Sequence, residues 1–204
     1  MKKAFILAGG AVKDHAQLAK LISPDDLVIA ADSGYHHAIK MGVHVTALVG
    51  DMDSIGNIPT DVDVVSFPTR KDFTDSELAI EHSKDLGATN ITIMGATGTR
   101  LDHSLTNILS LVHSGATIVD EYNTVSLLNK ARNCVTLSEP IGTTVSLVPL
   151  SQCIGVTTDG LEYRLANETL DVGFGRSISN VMENETATIT ITDGQLLVIV
   201  VKGE

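Results

Sequence analysis

The sequence predicts an α/β domain with a parallel sheet, followed by an all-β domain. In residues 1–122, short apolar runs alternate with helix patterns, and this alternation is typical of a parallel sheet covered by helices on both faces. In residues 123–204, helix patterns disappear and Thr, Val and Ser dominate. We therefore expect domains at 1–122 and 123–204, with the boundary falling somewhere in 121–133.

The first domain is predicted to alternate strands and helices along its whole length. Strands are expected at residues 4–8, 27–31, 46–49, 62–67, 90–94 and 117–119. Helices are expected at residues 12–22, 34–41, 76–86 and 101–113. The helix at 76–86 is amphipathic and is followed by Gly87, a residue type that commonly ends helices.

The second domain is predicted to consist of strands only. They are expected at residues 134–137, 143–149, 155–157, 187–192 and 196–200. Thr and Ile alternate in 188–192, which predicts an antiparallel strand with one buried face. Asp193 and Gly194 predict a hairpin turn between the last two strands.

Composition excludes some classes of partner. The net charge is -11, and an acidic surface argues against nucleic-acid binding, which needs a basic stripe. It does not exclude a nucleotide, because Mg²⁺ can offset local negative charge.

No segment approaches the roughly 18 to 20 apolar residues that span a membrane, and the apolar start is too short for a signal peptide. We expect a cytoplasmic protein with reduced thiols at Cys134 and Cys153, a disulfide being the alternative.

Gly and Asp residues follow several of the predicted parallel strands. Ligands of such sheets bind beyond the carboxyl ends of the strands, so we expect these residues to share one edge. For each one alone, a turn or helix cap is the competing interpretation, and Asp32 could simply cap the next helix. The residues concerned are Gly9 and Gly10, Asp32 to Gly34, Asp51 and Asp53, Asp72 to Asp75, and Gly95 to Gly98.

Asp51 and Asp53 are the strongest candidates for a metal site. Two carboxylates this close repel each other, and a divalent cation removes that conflict. Oxygen ligands without His or Cys partners favour Mg²⁺ over zinc. A solvated loop with both side chains in water is the competing interpretation.

Two further segments carry polar groups suited to a ligand. The Gly-rich turn at 95–103 opens a helix, where free N–H groups and Arg100 can hold phosphate, although Asp102 could be an ordinary early-helix charge. Lys71 is a second phosphate candidate. Residues 173–180 form either a ligand-binding loop or a plain connection. The adjacent histidines His36 and His37 are expected at the surface.

Taken in order, these motifs resemble the thiamine pyrophosphokinase family of the bacterial type. The resemblance covers nearly the whole chain and implies a Rossmann-like α/β domain joined to an antiparallel β-sandwich. It implies transfer of the pyrophosphoryl group of ATP to the hydroxyl of thiamine, with Mg²⁺ as cofactor. It also implies a homodimer, with the thiamine site at the interface between protomers. The segments that carry it are Asp32 to Gly34, Gly50 to Ser54, Lys71 to Asp75, Gly95 to His103 and Ser177 to Asn180.

The resemblance assigns roles to individual residues. Metal-binding and catalytic positions are Asp51, Asp53 and Asp75, with Asp32 nearby. Nucleotide-site positions are Lys71, Asp72, Thr74, Gly98, Arg100, Asp102 and His103, and thiamine-site positions are Ser177 and Asn180. The chain departs from the family at Ser33 and Thr99, where Gly is frequent, and it has no Trp to stack on the thiamine ring.

Two other functions remain open from the sequence. A pyrophosphokinase acting on another hydroxymethyl heterocycle would need the same acidic edge, so only the region of Ser177 and Asn180 separates it from the first hypothesis. A non-catalytic thiamine or nucleotide sensor would bind ligand without forming AMP. A sensor has little need for a metal cluster, which makes it the weaker alternative.

Overall fold

The computed structural model describes residues 1–53, 55, 60, 62–68 and 72–203. Within these residues the chain divides into two compact units, Met1–Glu121 and Tyr122–Glu204. Among the helices of this described part, none is long and apolar enough to cross a membrane.

The first unit is a parallel sheet with helices between its strands. Its strands are β1 (Lys3–Leu7), β2 (Leu27–Ala31), β3 (Ala47–Gly50), β4 (Asp63–Ser66), β5 (Asn90–Met94) and β6 (Thr117–Val119). Its helices are α1 (His15–Ala19), α2 (Tyr35–Met41), α3 (Asp75–Asp85) and α4 (Leu101–Ser114).

The strands of this unit run in the order β6-β5-β1-β2-β3-β4, and each recorded pair is parallel. β1, β2 and β3 are almost entirely buried, as expected of strands covered on both faces. Apolar side chains of the strands pack against those of the helices and loops, with Leu7, Leu18 and Leu48 at the centre. The α/β prediction is confirmed.

Local sequence explains where the helices of this unit begin and end. Thr74 and Glu77 form a reciprocal capping box at the start of α3, with the Thr74 Oγ1 accepting from the Glu77 N–H at 3.2 Å. Gly115 ends α4 with φ 65°, a left-handed conformation that glycine adopts without steric cost. α1 is shorter than predicted. It begins after Asp14, whose side chain accepts a hydrogen bond from the Gln17 N–H, and it ends at Ala19 after little more than one turn.

The second unit is a β-sandwich, which confirms the predicted fold class. Its strands are β7 (Asn123–Leu128), β8 (Cys134–Ser138), β9 (Thr144–Pro149), β10 (Cys153–Asp159), β11 (Glu168–Leu170), β12 (Asn180–Val181), β13 (Thr186–Thr190) and β14 (Leu196–Val201). One sheet has the order β12-β9-β14-β7 and the other β11-β10-β13-β8. Buried side chains from both sheets form one core that includes Leu128, Leu147 and Ile189.

The predicted hairpin at Asp193 and Gly194 is wrong. β13 pairs with β8 and β10, whereas β14 pairs with β7 and β9 in the other sheet. The turn signal marks a crossing between sheets, where Ile154 forms an isolated bridge with Asp193. A turn dipeptide fixes the local backbone, and it does not decide which strands pair.

Three strands of the second unit were not predicted, namely β7, β11 and β12. β11 and β12 are only three and two residues long, too short to produce a periodic pattern. The alternation in β13 is confirmed, since Ala187 and Ile189 are buried and their neighbours Thr188 and Thr190 are half-exposed. Cys134 is exposed and Cys153 buried, and both are free thiols.

Candidate active site

Loops at the carboxyl ends of the parallel strands surround a cavity of about 540 Å³. In an open α/β sheet this edge is where ligands bind, because the strands stop there and helices begin. The cavity brings together all five of the Gly- and Asp-bearing segments that the sequence indicated. Its lining consists of residues 8–11, 31–33, 51, 73–76 and 96–100, together with His103, Ser104 and Asn107.

Four carboxylates lie close together at this cavity, and three of them belong to its lining. Asp32, Asp51 and Asp53 each contribute an oxygen that lies within 4.8 Å of the others. Asp75 lies beside them, since a Cβ built on Gly50 would be 3.1 Å from the Asp75 Oδ1 and 3.2 Å from the Asp32 Cβ. Repulsion between these charges favours a bound cation, and a set of hard carboxylate oxygens fits Mg²⁺.

The loop after β3 positions Asp51 and Asp53 by burying the residue between them. Met52 is only 7% exposed and packs into the core of the first unit. Its φ is 65°, a left-handed conformation that is costly for a residue with a side chain. Burial of Met52 offsets that cost and leaves Asp51 half-buried and Asp53 exposed.

Asp32 is positioned by the end of β2 and not by a capping role. It opens a 3₁₀ turn, Asp32–Gly34, with a left-handed φ of 46°. The N-cap of the following helix α2 is Gly34, which provides no side-chain cap. The competing interpretation of Asp32 as a simple helix cap is therefore wrong.

Two glycine-containing loops also line the cavity and pack against each other. Gly10 donates from its N–H to the carbonyl of Gly95 at 2.8 Å, and Ala11 donates to Thr97 at 2.6 Å. A Cβ on Gly10 would lie 2.3 Å from both of those carbonyl oxygens, so only glycine fits. On the far side, the Ser33 hydroxyl lies 2.1 Å from where a Cβ of Gly9 would stand. Ser33, one of the departures from the family pattern, thus restricts its neighbour.

Thr74 lines the cavity but has a structural task. Its hydroxyl accepts from the Glu77 N–H at 3.2 Å and its own N–H donates to the Glu77 carboxylate at 2.8 Å, and these two bonds form the capping box. The helix start that this cap fixes places Asp75 in the first turn of α3, beside the other carboxylates.

Arg100 and Asp102 form a bidentate ion pair at the mouth of the cavity. The Nη2 to Oδ2 distance is 2.6 Å and the Nε to Oδ1 distance is 3.0 Å, with both side chains largely exposed. The guanidinium of Arg100 holds the pKa of the Asp102 carboxyl far below its usual range. Phosphate binding to Arg100 would therefore compete with Asp102 for the same fork of donors.

The remaining predicted nucleotide positions differ in where they lie. Gly98 and His103 line the cavity, and both are exposed. Asp72 is exposed and is absent from the cavity lining. Lys71 lies outside the described residues.

Sequence reasoning missed two buried polar residues on α4. Ser104 accepts from the Gly98 N–H at 3.1 Å and donates to the Arg100 carbonyl at 3.0 Å. Asn107 donates to the Ala96 carbonyl at 2.7 Å. These residues are one helical turn apart and tie the Gly-rich turn to its helix. Their spacing was the available signal, because two polar residues at i and i+3 share one helix face.

The prediction of two surface histidines is half wrong. His36 is exposed, but His37 is half-buried and its Nε2 lies 2.9 Å from the carbonyl oxygen of Gly10. A neighbouring pair of histidines on a helix points in two directions, and here one of them faces the cavity wall.

Ser177 and Asn180 are both buried in the second unit. The Ser177 hydroxyl donates to the Leu147 carbonyl at 2.8 Å. The Asn180 side chain bridges to Tyr163, donating to its carbonyl at 2.8 Å and accepting from its N–H at 2.9 Å. In this structure both side chains hold the 177–180 segment in place.

The surroundings of these two residues expose apolar side chains. Phe174 is 73% exposed and Ile178 46% exposed, and Val172 and Tyr163 are exposed as well. Arg176 in the same segment pairs with Glu168. The outward face of this segment is therefore apolar with one paired charge.

Comparison with protein families gives two adjacent matches. Residues 18–120 match the model described as the catalytic domain of thiamin pyrophosphokinase. Residues 119–196 match its vitamin B1 binding domain. The first match alone covers half of the chain.

Individual relatives agree with these matches. The thiamine pyrophosphokinase of Bacillus subtilis (strain 168) is 27% identical over 211 residues, with 98% of each chain covered. Its crystal structure superposes on this fold with a TM-score of 0.88 at 23% identity, covering all of both chains. The thiamin pyrophosphokinase of Geobacillus thermodenitrificans gives 0.82 at 24% identity, covering 99% of this chain and 98% of that one. This chain therefore belongs to the thiamin pyrophosphokinase family, which confirms the resemblance read from the sequence and the prediction of an enzyme.

Proposed function

We propose that this chain transfers the pyrophosphoryl group of ATP to the hydroxyl of thiamine, giving thiamine diphosphate and AMP. The observation that carries the proposal is the cavity of the first unit, which is lined by Asp32, Asp51, Asp75 and the loops at Gly9 and Gly98, with Asp53 next to Asp32 and Asp51. Such a cavity suits a polyphosphate bound with a divalent cation. Membership of the family supplies the substrate class.

Asp51, Asp53 and Asp75, with Asp32 beside them, would hold Mg²⁺. When bound, the ion would offset the charge of the phosphates and of the carboxylates. Without a cation the cavity would repel a polyphosphate, since Arg100 and His103 are the basic side chains recorded among its described lining residues.

The chain's own groups would orient the reactants. Gly9 and Gly98 have no side chains, so phosphates can approach the backbone closely at these two positions. Arg100 would exchange Asp102 for a phosphate oxygen. The hydroxyl oxygen of thiamine would attack the β-phosphorus in line, forming a new P–O bond as the bond to the α-phosphate oxygen breaks and AMP leaves. Asp75, or another carboxylate of the cluster, would accept the proton of the thiamine hydroxyl.

We propose that the segment around Ser177 and Asn180 forms the thiamine site. Because both side chains are buried and bonded internally, their role would be to shape this segment, while exposed Phe174 and Ile178 offer apolar surface for a ring. This chain has no Trp for that purpose.

We also propose a cytoplasmic homodimer with the thiamine site at the interface between protomers. Leu101, Leu105 and Leu109 follow one face of α4 and are each at least 50% exposed. Apolar side chains at i, i+4 and i+8 on a solvent-facing stripe are typical of a surface that another chain covers.

One observation is compatible with a second substrate. The polar groups expected to read the thiamine ring are satisfied within the protein, so a pyrophosphokinase for another hydroxymethyl heterocycle has the same support from the site itself. A sensor has less support, because four converging carboxylates are suited to chemistry on phosphates.

The test is to incubate the protein with ATP, MgCl₂ and either thiamine or a hydroxymethyl pterin, and to separate the products by chromatography. We expect AMP and thiamine diphosphate from the thiamine reaction alone. Product from the pterin alone would reassign the substrate. Ligand binding without AMP from either compound would favour the sensor.

A further inference from the structure

Two histidines outside the carboxylate cluster support the glycine wall of the cavity. His37, on α2, lies with its Nε2 2.9 Å from the carbonyl oxygen of Gly10, which lines the cavity. The Nδ1 of the same ring lies 2.9 Å from the Nε2 of His15, on α1. The two rings are tilted by 36° with centroids 5.1 Å apart. Two hydrogen bonds in series therefore connect His15 through His37 to the cavity backbone.

The chemistry of the acceptor fixes the proton positions in this series. A carbonyl oxygen only accepts, so the Nε2 of His37 must carry a hydrogen. In the neutral ring Nδ1 is then an acceptor, and the Nε2 of His15 must be its donor. One extra proton fits without rearrangement, because it can occupy the outer Nδ1 of His15. A second extra proton would set two N–H groups against each other at 2.9 Å and break the contact.

The surroundings of His37 disfavour a positive charge. Burial lowers the pKa of His37, and the hydrogen bond to Gly10 opposes that effect only in part. The charged or titratable groups that act on it are His15 from α1 and Lys40 and His36 from its own helix, and all three carry or can carry positive charge. Among the described groups acting on it there is no carboxylate to stabilise an imidazolium.

The backbone segment that His37 contacts is also held by hydrogen bonds on its other side. Gly10 is bonded on its N–H side to Gly95, and Ala11 is bonded to Thr97. His37 fixes the carbonyl side of the same peptide segment. The loop is thereby held from both sides in the conformation that leaves room for phosphate.

We propose that His37, oriented by His15, is a positioning residue that holds the Gly9 and Gly10 loop for nucleotide binding, and that a second proton on the histidine pair breaks the contact to His15 and so removes this orientation. The proposal rests on the proposed function for its ligand, a Mg²⁺-bound nucleoside triphosphate. His37 itself touches the backbone and not the reacting atoms.

Two substitutions at one position separate positioning from general structure. In His37→Gln the side-chain amide reaches roughly as far as Nε2 and can still donate to Gly10, whereas in His37→Asn it is too short. We expect KM for MgATP to stay within about twofold in His37→Gln and to rise about fivefold or more in His37→Asn, with kcat changed less, on the scale of one hydrogen bond. Equal KM values in the two variants, with only the melting temperature changed, would overturn the proposal.

The pH profile gives a second readout. In the wild type, KM for MgATP should rise at acid pH as a second proton separates the two rings, and this rise should be absent in His37→Gln, which has no ring to protonate. An acid rise of the same size in His37→Gln would contradict the role of that proton.

A third readout needs no turnover. Nitrogen-15 NMR of the histidine rings at about pH 7.5 should report His37 protonated at Nε2 and unprotonated at Nδ1. The opposite tautomer would overturn the proposal. The NMR experiment uses no thiamine, and a calorimetric titration with MgATP would use none either. A failure of thiamine pyrophosphorylation would therefore leave both results unaffected.

Discussion

The polar residues predicted in the first unit lie at a cavity, whereas those predicted in the second unit turn into the protein. In the first unit, Asp51 and Asp75 lie at the cavity and their neighbours hold the backbone for them. In the second unit, Ser177 and Asn180 turn inward and bond to Leu147 and Tyr163. A polar residue in a motif can therefore act through its own atoms or through the loop that it shapes, and substitutions in the two units distinguish these roles.

Asp53→Ala should have the largest effect. Losing one carboxylate of the cluster should lower turnover about a hundredfold or more, on the scale of the several kcal/mol that a metal contributes. Asp53 is exposed, so the fold should survive, which circular dichroism would check. Asp85→Ala, at an exposed position at the end of α3, is the matched control and should retain activity. Near-normal AMP formation by folded Asp53→Ala would remove the metal role.

Gly50→Ala should damage the cluster without removing a charge. The new Cβ would lie 3.1 Å from the Asp75 Oδ1 and 3.2 Å from the Asp32 Cβ, and φ at Gly50 is 151°. We expect turnover to fall about tenfold, the cost of misplacing groups by a fraction of an ångström. Gly42→Ala is the control, because it also has a positive φ but no atom within 4 Å of the new Cβ. It should lose about 1 kcal/mol of unfolding free energy and keep its turnover. Equal losses of turnover in the two variants would argue for backbone strain alone.

Asn180→Ala tests the opposite behaviour of the second unit. It removes both bonds to the Tyr163 backbone and leaves those partly buried groups without this partner, so the free energy of unfolding should fall by about 1–3 kcal/mol. KM for thiamine should rise as the segment loosens. Denaturant titration and kinetics measure the two quantities together. A large rise in KM at unchanged stability would show that Asn180 contacts the substrate through its own atoms.

Asp102→Asn should have the smallest effect. It weakens an exposed ion pair and frees Arg100, so KM for ATP should fall by about twofold or less at low salt and be unchanged at high salt. The low pKa of Asp102 means that the pair persists as pH falls through the ordinary carboxylate range and is lost only when the pH reaches the depressed value. A rise in KM would indicate that the pair itself orients the nucleotide.

The loops that line the cavity could be predicted from the sequence. Parallel strands bring their carboxyl ends to one edge by geometry, so Asp32, Asp51 and Asp75 could be placed together from order alone. The supporting residues were not predictable in this way. The roles of Met52, Asn107 and His37 depend on which face of an element is buried, and tertiary packing decides that.

The second unit was less predictable for a physical reason. Sheet pairing in a sandwich joins residues far apart in sequence, and the Asp193 and Gly194 turn gave no information on which sheet follows. The inward orientation of Ser177 likewise depends on Leu147, thirty residues away.

We propose that the carboxylate cavity carries pyrophosphoryl transfer, and phosphorus-31 NMR identifies the products of that reaction. With ATP, MgCl₂ and thiamine, we expect AMP and thiamine diphosphate in equal amounts from the wild type, and at least about a hundredfold less of both from Asp53→Ala in the same time. ADP with thiamine monophosphate, or ADP with free phosphate, would contradict it.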